Sequence, residues 1–186
     1  MRNDPRMKAM GLVFALVLGT SGLFTVAQAA RPQSSPPPLV WTDALSDPDQ
    51  ARTDYVEHCA GCHGVQGKSA PAELPELRDR VGWFMCTPET RAYLLQLPNV
   101  AHSRILDNQE LADMMNFVVF GLGGSSAPAG ARPFTADEVG KERKLPLESV
   151  SLKAERARHV KAAIRKCRAP VSLRLMYEGE PKALRR

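Results

Sequence analysis

Several things are scarce in this chain of 186 residues. Cysteine occurs four times, too rarely for a disulfide-rich scaffold, so each one has to be accounted for singly. Aromatic residues make up 6% of the chain, and none interleave with its basic runs, which disfavours a nucleic-acid partner. Beyond residue 26 no apolar run approaches the ~20 residues of a membrane-spanning helix, which excludes a multi-span membrane protein. Alternating apolar and polar stretches of strand type are nearly absent. With 44% hydrophobic and 24% charged residues, the composition is that of an ordinary globular protein. The length suits one domain with extensions.

What is present begins with an address. Arg2, Arg6 and Lys8 precede an apolar stretch from Met10 to Val26, closed by Ala27-Gln28-Ala29. Basic, apolar and small residues in that order make a secretory signal peptide over 1–29, cleaved on export. An uncleaved anchor is the rival reading, weakened by Thr20, Ser21, Thr25 and Gln28 in the apolar run. Export in a bacterium means the periplasm, an oxidising compartment. Residues 30–46 read as a Pro-rich linker, with four Pro between Arg31 and Pro38, and the ordered chain is expected to begin near Asp47.

The rest reads as all-α. Asp47-Pro48 supplies a cap and a first-turn proline for a helix through Ala51, Tyr55 and Cys59. Residues 64–82 read as loop. Thr87-Pro88 opens a second helix that Pro98 stops, and Asp107 with Glu110 forms a capping-box pattern for a third, apolar at Leu111, Met114, Met115, Val118 and Val119. This gives a core domain over 47–122. A Gly/Ser/Ala/Pro linker follows over 123–133, then a basic helical extension over 134–186 with helices at 135–144 and 148–168.

One motif carries chemistry: Cys59-Ala60-Gly61-Cys62-His63. C-x-x-C-H is the attachment signature of c-type haem. Thiols three residues apart at a helix end can each add to a vinyl group of one porphyrin, and the adjacent imidazole is then delivered to the iron. Other readings fit less well. A zinc site lacks a fourth ligand, a thioredoxin-like pair lacks its βαβ context, and a Cys59–Cys62 disulfide leaves His63 unexplained.

Around this motif the chain resembles the monohaem class I cytochromes c. The resemblance rests on Tyr55-x-x-x-Cys59-x-x-Cys62-His63-Gly64 and on the segment Leu106 to Asp113 through Phe117, and covers about 47–121. It implies a helical haem domain in which the first and last helices cross, one covalently bound haem c held by Cys59 and Cys62, His63 as an iron ligand, and single-electron transfer rather than catalysis. Tyr55, Trp83, Phe84, Leu97, Met114, Phe117 and Val118 are the expected walls of the haem site.

The chain departs from that family at the sixth iron ligand. The loop 98–105, where the family usually supplies a Met, holds His102 and no Met. His102 is the first candidate and Met85 the alternative; a site without a strong protein ligand is the third possibility. Two imidazoles would lower the reduction potential relative to a His/Met pair. An open site would instead suit a ligand sensor, or a catalytic or assembly subunit. His58 reads as a surface residue, and Met114 and Met115 as core.

Cys86 and Cys167 remain, and in an oxidising compartment a disulfide between them is one outcome; buried free thiols, or Cys86 as a weak haem ligand, are others. Charge divides the chain. Residues 31–124 carry seven Lys/Arg against twelve Asp/Glu, and residues 125–186 fifteen against seven. The cations of 153–168 are either solvated faces or a docking surface for an acidic redox partner or anionic membrane. By family analogy a periplasmic dehydrogenase is the expected donor, and another cytochrome or an oxidase the acceptor.

Overall fold

A computed structural model describes residues 41–68 and 74–178, which lie within one compact unit. The signal segment and most of the Pro-rich stretch fall outside the described residues. Among those described there is no strand, and no helix is long and apolar enough to cross a membrane. The fold is all-α, as the patterning predicts.

Regular structure starts earlier than Asp47. Trp41–Ala44 form a 3-10 turn, Leu45 is buried, and the Ser46 N–H donates to Asp113 at 2.9 Å. Helix α1, Pro48–His58, begins as its sequence predicts, with the Asp47 carboxylate accepting from the Gln50 N–H at 3.0 Å. Cys59 breaks the helical path at φ −127°, and α2, Ala60–His63, is a single turn. Gly64 follows at φ +72°, where a Cβ would meet the Lys68 carbonyl oxygen at 2.2 Å, so only glycine fits.

After the 3-10 segment Val81–Cys86, Thr87 caps α3, Pro88–Gln96, in a capping box with Thr90. Pro98 ends that helix and opens α4, Pro98–Ala101. Asp107 caps α5, Asn108–Asn116, accepting from the N–H groups of Gln109 and Glu110 at 2.7 and 3.0 Å. Only half of the predicted capping box forms, because the Glu110 side chain stays exposed and makes no return bond. The helix continues in wider π winding through Phe117–Leu122.

Residues 111–119 are all buried, because α5 packs against α1 and against α6, Ala136–Glu142. Burial on every side forces its polar residues to find partners. Asp113 accepts from Ser46 and Gln109. Asn116 exchanges two hydrogen bonds with the Phe134 backbone, 3.0 Å from Nδ2 to the carbonyl and 2.7 Å from the N–H to Oδ1.

The stretch 123–133 is packed rather than free-standing. The Gly82 N–H donates to the Ser126 hydroxyl at 2.9 Å, and a Cβ on Gly82 would meet the Ala127 nitrogen at 2.3 Å. Arg91 then fastens α6: its guanidinium forks onto Glu138 at 2.5 and 2.6 Å, donates to the carbonyls of Arg132 and Pro133, and lies over the Phe134 ring.

Helix α7, Leu152–Cys167, is capped by Ser151 and packs on α3 and the 81–86 segment. A disulfide joins Cys86 to Cys167 across a Cα separation of 6.1 Å, settling the pairing that spacing left open. Arg168 ends α7 in the left-handed region, and the chain returns through Val171–Arg174 to α8, Leu175–Glu178.

Candidate functional site

The Cys59–His63 turn is set by α1. The Cys59 N–H still bonds to the Tyr55 carbonyl at 2.9 Å, and the Cys59 carbonyl then accepts from both Cys62 and His63 at 3.2 and 3.0 Å. Neither thiol is in a disulfide; Cys59 is half-buried and Cys62 exposed. Burial, helped by the nearby Cys62, pushes the Cys59 thiol up to about 11. At neutral pH it is therefore protonated. A redox-active dithiol needs the opposite shift, since the thiolate is the reactive form.

His63 is half-buried, and its Nδ1 lies 3.1 Å from the Pro75 carbonyl. A carbonyl can only accept, so Nδ1 carries the proton and the lone pair belongs to Nε2. Burial holds the imidazole below its usual value; the Arg156 charge works the same way and the Pro75 bond opposes it. The ring is thus neutral near pH 7. Its Nε2 accepts no hydrogen bond among the described residues, the state of a metal ligand whose other nitrogen is fixed by a backbone carbonyl.

The surrounding loop is cinched onto this turn. The Tyr55 hydroxyl donates to the Gly64 carbonyl at 2.7 Å, and burial pushes the phenol up to about 12. The Gly67 carbonyl accepts from Leu77 and Arg78 at 2.8 and 3.1 Å, which brings Pro75 back toward His63. Of the expected walls, Tyr55, Phe84, Met114, Phe117 and Val118 are buried, while Trp83 and Leu97 are half-buried against the core.

No hydrogen bond or ring contact joins His63 to either sixth-ligand candidate among the described residues. His102 sits at the C-terminal end of α4 with its side chain exposed, and no hydrogen bond to its ring is seen among the described residues. Met85 is buried, its sulfur 3.9 Å from an Arg91 nitrogen. His58 is exposed, and Met114 and Met115 are core. No group of three His, Cys, Asp or Glu among the described residues could hold a metal ion by itself.

His159 carried no expectation from sequence, yet it is 4% exposed and stacks on Tyr93 at 4.2 Å. Its Nε2 lies 2.9 Å from an Arg158 nitrogen, which can only donate. It therefore shares the Nδ1–H tautomer of His63, but its lone pair is already taken. The available signal was its place beside Val160 and four residues before Ala163, both buried on the inward face of α7.

The chain is 28% identical over 130 residues to a cytochrome c-552 of Thermus thermophilus, a match spanning 61% of this chain and 86% of the relative. A second Thermus thermophilus cytochrome c-552 is 27% identical over 115 residues, 53% of this chain and 88% of that protein. The likeness is to c-type cytochromes. No protein-family model and no solved structure matches the chain.

Proposed function

We propose that this protein is an exported c-type cytochrome with one covalently attached haem, working in the periplasm as a single-electron carrier. The observation that carries the reading is the Nδ1 bond from His63 to Pro75, which leaves Nε2 as a neutral donor one residue after an unpaired thiol. The donor set fits haem c. Cys59 and Cys62 are free of any disulfide, and each thiol could add its S–H across one vinyl group as a thioether. His63 would bind the iron through Nε2. When bound, the haem supplies a one-electron couple.

The chain's own residues do the rest. The Pro75 carbonyl fixes the His63 tautomer and ring direction, and strengthens it as a donor. Tyr55, Met114 and Phe117 supply low-dielectric packing beside the turn. His102 is the sixth ligand in this reading: its side chain is exposed and no group among the described residues competes for its ring, whereas Met85 is packed against Arg91. A periplasmic dehydrogenase as donor, and another cytochrome or an oxidase as acceptor, follow by analogy with such carriers. The exposed cations Lys153, Lys161 and Arg165 are the surface on which an acidic partner would dock.

The visible and near-infrared spectrum of the purified ferric protein, with haem retained after denaturation, tests this. Retained haem and a low-spin spectrum without a sulfur-to-iron band are expected. A sulfur band moves the sixth ligand to Met85. A high-spin spectrum replaces the carrier with a ligand-binding protein, and absence of haem refutes the reading.

A further inference from the structure

The loop between α4 and α5 has little internal structure. Its N–H groups are served locally: His102 bonds to the Pro98 carbonyl, Ser103 to that of Val100, and Ile105 to the Ser103 hydroxyl. Its carbonyls are not, because they follow a helix end, where acceptors lose their partners. A single side chain from 40 residues away answers them. Arg143, just past α6, donates from Nε to the Ala101 carbonyl at 3.3 Å, from Nη2 to that of Ser103 at 3.2 Å, and from Nη1 to that of Ile105 at 3.1 Å and to the Asn108 side chain at 3.2 Å.

The pattern has a consequence for His102. The carbonyls that Arg143 grips belong to alternate residues, of which Ala101 and Ile105 are buried, while His102, Arg104 and Leu106 between them are exposed. With the carbonyls on either side of it held by one guanidinium, the backbone of His102 is fixed while its side chain stays exposed. The fork itself is well fixed. Phe134 is pinned to Asn116 and Glu138 to Arg91 at the other end of α6. Gly140 lies so close to Asn108 that a Cβ there would meet its amide nitrogen at 2.7 Å. No carboxylate pairs with Arg143 among the described residues, so its donors serve the loop alone.

We propose that Arg143 is a positioning residue for the sixth iron ligand: the extension's first helix braces the 101–108 loop so that His102 is presented to iron and kept there. This rests on the His102 reading above. A planar fork serving three carbonyls is a role that lysine's point charge fills only in part.

The test uses the full exported holoprotein with Arg143→Gln, Arg143→Lys and, as reference, His102→Ala. Cyanide association with the ferric form reports how often the sixth position opens, and amide exchange at Ser103 and Ile105 reports the loop itself. Arg143→Gln is expected to speed both by about tenfold or more, since several charge-assisted bonds oppose opening. Arg143→Lys is expected to fall between, and stands in if the Gln variant does not accumulate. Wild-type rates and exchange in the Arg143 variants, beside a changed His102→Ala, overturn the positioning role alone. An unchanged spectrum and cyanide rate in His102→Ala overturn the ligand reading and the positioning role together.

Discussion

The two ends of the described chain treat their polar groups in opposite ways. Around the Cys59–His63 turn, among the described residues, the reactive groups are left over: two thiols outside any disulfide and an imidazole with one nitrogen unused. From Pro128 onward polar groups instead fasten the fold. Arg91 donates to the carbonyls of Arg132 and Pro133, Arg143 to those of Ala101, Ser103 and Ile105, and Arg156 to that of Met176 at 2.9 Å. Groups that hold a fold are found paired, and groups awaiting a ligand are found poised. The net basic charge of the extension is thus partly internal fastening, and only its exposed cations are free for partners.

The largest effect that would break this comparison is at the turn. Cys59→Ala with Cys62→Ala should abolish covalent haem altogether while the helical content of the chain survives, since Cys62 is exposed and Cys59 packs only at the edge of the core. Haem staining of the denatured protein beside a far-ultraviolet circular dichroism spectrum checks it. Haem that stays attached would mean other residues bind it.

Next comes the disulfide, at the opposite end. Cys86 and Cys167 are 81 residues apart, and opening a loop of that size costs about 4 kcal/mol of stability in the chain-entropy account. Cys86→Ser with Cys167→Ser should lower the urea midpoint accordingly and leave the spectrum of the proposed haem site unchanged. A changed spectrum at equal stability would show that the bond serves the site rather than the fold.

A smaller loss, about 2–3 kcal/mol, is expected for Asn116→Ala. That change leaves the buried Phe134 N–H and carbonyl both unpaired, and undoes the first anchor of α6. Arg91→Met should act in the same range through Glu138 and the two carbonyls. If each weakens the protein but their double variant is no worse than one of them, the two anchors work as a unit.

The helix starts were legible because their signals are local. Asp47-Pro48, Thr87-Pro88 and Asp107 each cap the helix their sequence announces. The C-x-x-C-H turn was legible for the same reason, as five consecutive residues. What was not legible depends on distance along the chain. Nothing beside Cys86 names Cys167, and nothing beside Arg143 tells that it reaches back about 40 residues to the loop of His102. The Gly/Ser/Ala/Pro composition of 123–133 announces a connection, but not that Ser126 is buried against Gly82. Half of the Asp107–Glu110 box failed to form: the Asp107 carboxylate accepts from the Glu110 N–H, but the Glu110 side chain stays in solvent and takes no bond from the Asp107 N–H.

The smallest expected effect sharpens the comparison most, because it sets two imidazoles of the same tautomer side by side. His159 is pushed down to about 4, first by burial, then by the Arg158 guanidinium, with Glu155 and Glu89 working the other way; its ring stacks on that of Tyr93, whose phenol burial keeps protonated. In the unfolded chain it protonates near ~6.5. Between there and about 4 the unfolded state binds the extra proton, so stability present above pH 6.5 is lost as pH falls through that window. The loss should be on the order of 2 kcal/mol for a ring so nearly buried. Urea midpoints at pH 7, 6, 5 and 4 measure it, and His159→Gln should flatten the slope. His63 is also held down by burial, so the haem-free protein should keep a residual slope that His159→Gln does not remove. In the holoprotein that residue should vanish, because a nitrogen bound to iron no longer takes a proton. A residual slope that persists with haem in place would mean that His63 Nε2 is still free, and the open lone pair has some other use.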